Sequence, residues 1–260
     1  MKKRPRGLSG IVLVVATLLT LPVSAFGQVM VITSGGFRSA YQKILPEFEH
    51  TTGITVTTTG GASQGSGPNT IGALLKRGVL MDVVIMSREG LKELIAQGRI
   101  VAGTEVDLAH TPIGLAVRAG APKPDIITVD AFRQTLLRAK SVALPGSTTG
   151  IYLTTEVFPR LGVADKITVK VTTAGTESVA LVASGEAALA IQPVSELLHV
   201  PGIDFVGPIP TDVQYDSVFT AAVVTGSKEL EAAKRLIAFL ASERSTAAIR
   251  ESGMEPSKPR

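Results

Sequence analysis

Three short stretches rich in glycine and hydroxyl residues carry most of the chemistry this chain can do. Ser34-Gly35-Gly36 precedes a helical pattern that starts at Phe37. Residues 60–70, with Ser66 and Asn69 in a Gly/Ser run, precede a second helical pattern at Thr70. Gly146-Ser147-Thr148-Thr149-Gly150 opens a third. Backbone N–H groups at helix N-termini and successive amides in glycine turns converge on negative charge. Each stretch follows a strand-like segment, and the carboxyl ends of strands are where open α/β sheets take ligands. Any one of them reads equally as an ordinary N-cap or turn. Three together, two in one half of the fold and one in the other, describe a site for an anion.

Charged and polar neighbours bear on which anion. Arg38 lies in the first turn after the first loop, and Arg88 follows the strand-like run ending at Ser87. A guanidinium fork pairs a carboxylate bidentately, whereas a compact oxyanion is served by neutral donors. Either arginine can equally be a solvated surface residue. After the apolar run 187–191 come Gln192 and Ser195, both able to donate to a carboxylate, and then Glu196. Glu196 is the acid nearest this loop. It is the natural general base if a proton is transferred, although an acid favoured by a helix N-terminus is the plainer reading of it. Tyr152 and Tyr215 offer hydroxyls, with Tyr152 also suited to packing, and His110 sits beside a long strand where a hinge or surface role fits it.

Other chemistries find no residues to carry them. The chain has no cysteine, hence no disulfide and no thiolate nucleophile. His50, His110 and His199 are too far apart in sequence for a ligand cluster, so no metal is expected. No Ser-His-Asp order or P-loop identifies an enzyme, and no cofactor is expected. An acid–base isomerase needs no such motif.

These loops need a scaffold, and the hydrophobic pattern supplies one. Short apolar strands at 29–33, 54–59, 82–86, 141–144, 168–172 and 187–191 alternate with helical patterns at 37–52, 70–77, 91–97, 131–139, 150–161 and 177–184. Pro46 predicts a kink or early stop in the first helix. Amphipathic 228–240 and a short terminal helix at 245–252 close the chain. Two long apolar segments, 111–118 and 217–224, are expected to cross between two lobes. Residues 28–112 and 217–260 then form lobe 1 and residues 113–216 lobe 2.

The N-terminus reads as an export signal over residues 1–27. Lys2, Lys3, Arg4 and Arg6 precede an apolar stretch from Ile11 to Leu21, too short to span a bilayer, with cleavage after Ala25 or after Gly27. The formal charge of +4 falls to zero once those four basic residues leave. A near-neutral chain of roughly 230 residues, enough for one large domain or two small ones, is not expected to attract nucleic acid or membranes. The expected product is a periplasmic monomer with no membrane span.

Over essentially the whole mature chain, the sequence resembles the molybdate-binding family of periplasmic solute receptors. Ser34-Gly35-Gly36 stands where that family has its first ligand-binding serine loop. Residues 70–87 resemble its helix–glycine–Asp-Val-strand stretch through Gly78 and Asp82-Val83. Pro145-Gly146-Ser147-Thr148-Thr149-Gly150-Ile151-Tyr152 is similar to its Pro-x-Gly-x-Tyr segment, and Gly185-Glu186-Ala187-Ala188-Leu189-Ala190-Ile191 to its Gly-Glu-Ala-x-x-Gly-Ile strand. The resemblance implies an α/β, two-lobed periplasmic binding protein fold of type II with the ligand between the lobes. It also implies capture of a small anion, possession of no cofactor, and an ABC importer permease as partner. Two departures stand out. Gln192-Pro193-Val194-Ser195-Glu196 occupies the place of the family's tyrosine, and the glycine-rich insert at 60–69 replaces its second serine loop. Both point to a divergent branch, with an organic di- or tricarboxylate favoured as ligand and a molybdate-type oxyanion as the alternative. That branch is also similar to an exported aconitate isomerase, which interconverts trans- and cis-aconitate by a 1,3-proton shift.

Overall fold

A computed structural model describes residues 27–258. The export signal expected over 1–27 therefore lies, save for its last residue, outside the described residues. From the start, the chain runs β1 (Val29–Thr33), α1 (Gly35–Thr52), β2 (Val56–Gly60), α2 (Ile71–Lys76), β3 (Val83–Ser87), α3 (Arg88–Ala96) and β4 (Val106–Thr111). It continues through β5 (Ile113–Arg118), α4 (Val129–Ala139), β6 (Ser141–Pro145), α5 (Thr148–Tyr152), a π turn over Leu153–Val157 and α6 (Phe158–Arg160). Next come β7 (Thr168–Thr172), α7 (Gly175–Ser184), β8 (Leu189–Pro193), a 3-10 turn over Val194–Glu196 and β9 (Ile203–Pro208). The chain ends with β10 (Ser217–Val223), α8 (Leu230–Leu240), α9 (Thr246–Glu251) and β11 (Glu255–Pro256).

Two sheets result, one per lobe. The first has the order β11-β4-β10-β3-β1-β2 and the second β7-β6-β8-β5-β9. Each has a parallel core of three strands: β3, β1 and β2 in the first, and β7, β6 and β8 in the second. Each core is flanked by an antiparallel strand, β10 against β3 and β5 against β8. The strands are apolar on both faces because helices cover both. In the first sheet Val31, Val83 and Ile85 face the core shared with Phe37, Tyr41, Phe48 and Leu236. Their neighbours Ile32, Val84 and Met86 face Ile71 and Leu91 on the other side. The second sheet repeats the plan, with Val142, Leu144 and Ile191 against Phe132 and Phe158, and Ala143, Ala190 and Ala116 against Val179 and Val182.

Local features differ from expectation in two places. The first helix runs unbroken through Pro46. Pro46 is exposed, so its ring and the hydrogen bond it forfeits face solvent while Tyr41, Ile44 and Phe48 anchor the buried face. The helix stops instead at Gly53, whose φ of 70° and backbone N–H to Glu49 O make a left-handed cap. The second difference concerns the crossings. Among the described residues the chain passes between the sheets twice. The first passage is not one strand: β4 stops at Thr111 and β5 starts at Ile113, because Pro112 between them has no N–H to give to a ladder. The second is made by residues 209–216, and β10 begins only after the crossing is complete.

One side chain joins the two passages. The Gln214 amide oxygen accepts from the N–H of Ile113 at 2.7 Å and of Tyr215 at 3.0 Å, and its nitrogen donates to the carbonyls of Ile113 at 3.0 Å and Ile209 at 3.1 Å. It takes the role of a strand partner for Ile113 where no strand continues.

Candidate functional site

The carboxyl ends of all six parallel strands open onto one cleft between the lobes, with a volume of about 550 Å³, in the range of small-molecule sites. From the first sheet come Ser34 to Gly36 after β1, Gly60 to Ser63 after β2, and Ser87 at the end of β3. From the second come Pro145 and Ser147 to Thr149 after β6, Thr173 to Glu177 after β7, and Pro193, Ser195 and Glu196 after β8.

Glu196 sits at the centre of this arrangement. Its 3-10 turn carries it from the end of β8 to a position between the first residues of α1 and α7. A Cβ at Gly35 would stand 3.2 Å from its carboxyl, and a Cβ at Gly175 would overlap its Oε2. Glycine at both helix starts is what leaves room for the carboxyl between the lobes. Part of the residue remains accessible, but the carboxyl end is enclosed by both lobes. Desolvation there raises its pKa to about 7, and only the positive charge of Arg38 opposes the rise. Arg38 itself reaches along the end of β2, where Gly60 gives its guanidinium space that any side chain would fill.

Three hydroxyls around the cleft are buried and have no hydrogen-bond partner among the described residues: Ser34, Ser195 and Ser217, exposed by 4%, 7% and 2%. A buried hydroxyl without a partner carries a desolvation cost that a ligand can relieve. They come from three separate parts of the chain: the loop after β1, the turn after β8 and the first residue of β10. Gln192 stands behind Glu196 rather than in the cleft. Its amide nitrogen donates to the Glu196 carbonyl at 3.1 Å, and its buried oxygen has no partner.

The other residues singled out in the sequence fall in several places. Gly35, Gly36, Arg38, Asn69, Ser147, Thr148 and Thr149 line the cleft, and Thr149 is 3% exposed. Ser66 is exposed at the tip of the 60–69 insert and does not line the cleft. Arg88 turns away from the cleft: its guanidinium grips both carboxylate oxygens of Asp107, which also accepts from Thr220 at 2.7 Å. Tyr152 and Tyr215 stack with ring centroids 5.1 Å apart at the second crossing. Tyr152 donates there to the carbonyls of Val213 and Gln214, at 3.4 and 3.3 Å. The Tyr215 hydroxyl is held up from its ordinary pKa by burial and by Glu89. His110 pairs with Asp216 at 3.4 Å beside the same crossing.

Several cleft residues have no counterpart in the sequence reading. Ser217 and Phe219 lie in an apolar strand whose pattern speaks only of packing. Thr173 to Glu177 read as a strand end running into a helix, although Gly175 hints at a close approach. Glu177 reaches back to the N–H and hydroxyl of Thr173, at 3.0 and 2.7 Å, and this lowers its pKa. Among the described residues no group of three or more His, Cys, Asp or Glu side chains comes together to hold a metal. No helix among them is long and apolar enough to cross a membrane.

Residues 29–255 match the family model for bacterial extracellular solute-binding proteins. An aconitate isomerase from Pseudomonas sp is 39% identical over 245 residues, which cover 94% of this chain and 94% of the relative. Among solved structures, the sulfate-binding protein SubI from Mycobacterium tuberculosis H37Rv superposes with a TM-score of 0.70 at 20% identity, covering 90% of this chain and 88% of that one. The Azotobacter vinelandii periplasmic molybdate-binding protein superposes with a TM-score of 0.68 at 16% identity, covering 89% and 100%. At these identities the two structures establish the fold.

Proposed function

The chain belongs to the bacterial extracellular solute-binding proteins, and we propose that its cleft takes a small organic polycarboxylate and isomerises it, interconverting trans- and cis-aconitate. The observation that carries this reading is Glu196. A receptor for a permanently charged oxyanion gains from a ring of neutral donors, and a carboxylate in that ring would repel its ligand. An acid whose pKa is raised to about 7 is instead half-protonated at neutral pH and can both take and return a proton. The 39% identical aconitate isomerase supports the same reading.

The chemistry balances without any further reactant. Glu196 removes a proton from the methylene carbon of aconitate. The electron pair spreads over the three-carbon allyl unit and the adjoining carboxylate. The protonated Glu196 then returns the proton to the other terminal carbon, so the double bond moves and its geometry is reset. Arg38 pairs a substrate carboxylate, and Ser34, Ser195 and Ser217 donate to carboxylate oxygens as negative charge builds on them. Ser147 to Thr149 and Asn69 form the remaining wall. The protein acts after export through the signal at 1–27, as a monomer whose lobes divide at 112/113 and 216/217. Simple capture of the anion for an ABC importer is the second reading, supported by the family and by its sulfate- and molybdate-binding structural neighbours.

The test is proton NMR of trans-aconitate with purified protein in D₂O. Isomerisation predicts the appearance of cis-aconitate, carrying deuterium at the methylene carbon only to the extent that the proton on Glu196 exchanges with solvent before its return, and a Glu196→Gln protein that binds trans-aconitate but turns over at least about a hundredfold more slowly. Tight binding with neither isomerisation nor exchange would establish the receptor reading instead.

A further inference from the structure

The glycine-rich insert that sets this chain apart does more than line the cleft. Its two ends are tied together: Ala62 N–H donates to Asn69 O at 3.1 Å, and Ile71 N–H to Ala62 O at 2.9 Å. Its base is pinned to the first turn of α3, where Ser63 Oγ accepts from Ser87 N–H at 2.9 Å and the absence of a Cβ at Gly90 admits the Ser63 carbonyl. From this fixed base the loop reaches the other lobe. Gln64 N–H points at Ser147 Oγ at 3.4 Å. Gly65, at a φ of 110°, lies so close to the Gly146 carbonyl that a Cβ there would overlap it.

The side chains form a directed chain across the gap. Thr148 donates its hydroxyl proton to Gln64 Oε1 at 2.7 Å. A hydroxyl has one proton, so in the 2.7 Å contact between Ser87 Oγ and Thr148 Oγ1 the donor is Ser87. Gln64 Nε2 donates in turn to Glu93 Oε1 on α3 at 2.5 Å. The run Ser87 to Thr148 to Gln64 to Glu93 thus leaves lobe 1, enters lobe 2 and returns, with each bond polarising the next.

We propose that Gln64 is a positioning residue: with Thr148 it clasps the two lobes shut over the cleft through bonds the protein makes with itself, and release of this clasp limits exchange of ligand. The inference is independent of what the cleft binds. It also gives Thr148 and Ser147 a role other than direct contact with an anion, since both face the insert.

The absence of cysteine makes the test clean. Lys92→Cys on lobe 1 and Lys123→Cys on lobe 2, both at exposed positions, accept spin labels for pulsed distance measurement. In labelled protein without added ligand, the expected result is a substantial short-distance, closed population. Gln64→Ala should raise the open-to-closed ratio about five- to tenfold. Thr148→Val, which keeps the shape but not the hydroxyl, should do the same, and the double variant should add little to either, because both remove one chain of bonds. A ligand-free protein that is entirely open, or distance distributions unchanged by both variants, would overturn the proposal. Matching far-ultraviolet circular dichroism for all variants separates lobe opening from loss of fold.

Discussion

Replacing Glu196 by glutamine should make the protein more stable at alkaline pH, although it removes the proposed base. The native carboxyl has a pKa of about 7 against an ordinary 4.5. Below 4.5 the folded and unfolded chains both hold the proton. Between about 4.5 and about 7 the folded chain keeps a proton that the unfolded chain releases, so stability falls as pH rises through that window and is level above it. The difference, at 1.36 kcal/mol per pKa unit, amounts to about 3 kcal/mol lost by pH 8. Glutamine has the shape of the protonated acid and no such dependence. The stability of the variant relative to the native protein should therefore rise from near zero at pH 4.5 to about 3 kcal/mol at pH 8. For a chain of this size that corresponds to roughly 6–12 °C in melting temperature. Differential scanning calorimetry of both proteins across this pH range, at fixed ionic strength, measures it. Parallel curves would show that Glu196 is ionised at neutral pH in the folded protein, and the acid–base role built on its desolvation would fall with it.

Two further outcomes follow from the same geometry. Arg38→Gln removes the charge that holds the Glu196 pKa down, so the acidic limb of kcat for aconitate should move to higher pH while substrate affinity weakens; an unmoved limb would separate the two side chains. Ser217→Ala deletes a buried hydroxyl that has no partner, so denaturant unfolding should show unchanged or higher stability, while calorimetry should show roughly tenfold weaker binding of trans-aconitate. A loss of stability with intact binding would make Ser217 a structural residue.

Much of the fold could be read from the sequence because its core is simple. Strands buried on both faces appear as unbroken apolar runs, and α1 shows its buried stripe at Phe37, Tyr41, Ile44 and Phe48. The helix starts were harder to see, and several lie earlier than the pattern suggests. The helices expected from 37, 91 and 177 begin at Gly35, Arg88 and Gly175, and the one expected from 150 begins at Thr148. Glycine and threonine are poor helix formers and add nothing to an apolar period, so the first turn is invisible to a pattern. At α1, α5 and α7 those first turns line the cleft. The glycine and hydroxyl loops could still be recognised as loops, but what each one faces is long-range information. Gln64 and Thr148 are 84 residues apart, and nothing local distinguishes a hydroxyl that meets a ligand from one that meets the opposite lobe. Arg88 shows the same limit, since its partner Asp107 lies on a strand that no motif marks.

On the isomerase reading proposed above, the step from a receptor to an enzyme comes down to one turn. A binding cleft between two lobes already provides helix starts aimed inward, hydroxyls without partners and closure against water. Removing a proton from carbon needs those features for the charge that develops. What such a cleft lacks is a base. In the resembling family the residue after the β8 strand is a tyrosine, a neutral donor. Here Pro193 ends the strand and Val194–Glu196 folds as a 3-10 turn, which carries an acid to the gap between Gly35 and Gly175. The same enclosure that lets such a cleft hold an anion then desolvates that acid, and the desolvation sets its pKa near neutrality. Among the described residues Arg38 is the only cation lining the cleft, and Glu177 and Glu196 line it too, so a fully ionised polycarboxylate meets no excess of positive charge there. A protonated Glu196 removes one of the two repulsions and gives the site a hydrogen-bond donor. The ionised Glu196 that takes the proton from carbon is the form that the charge of the substrate opposes, and Arg38 beside it offsets that repulsion.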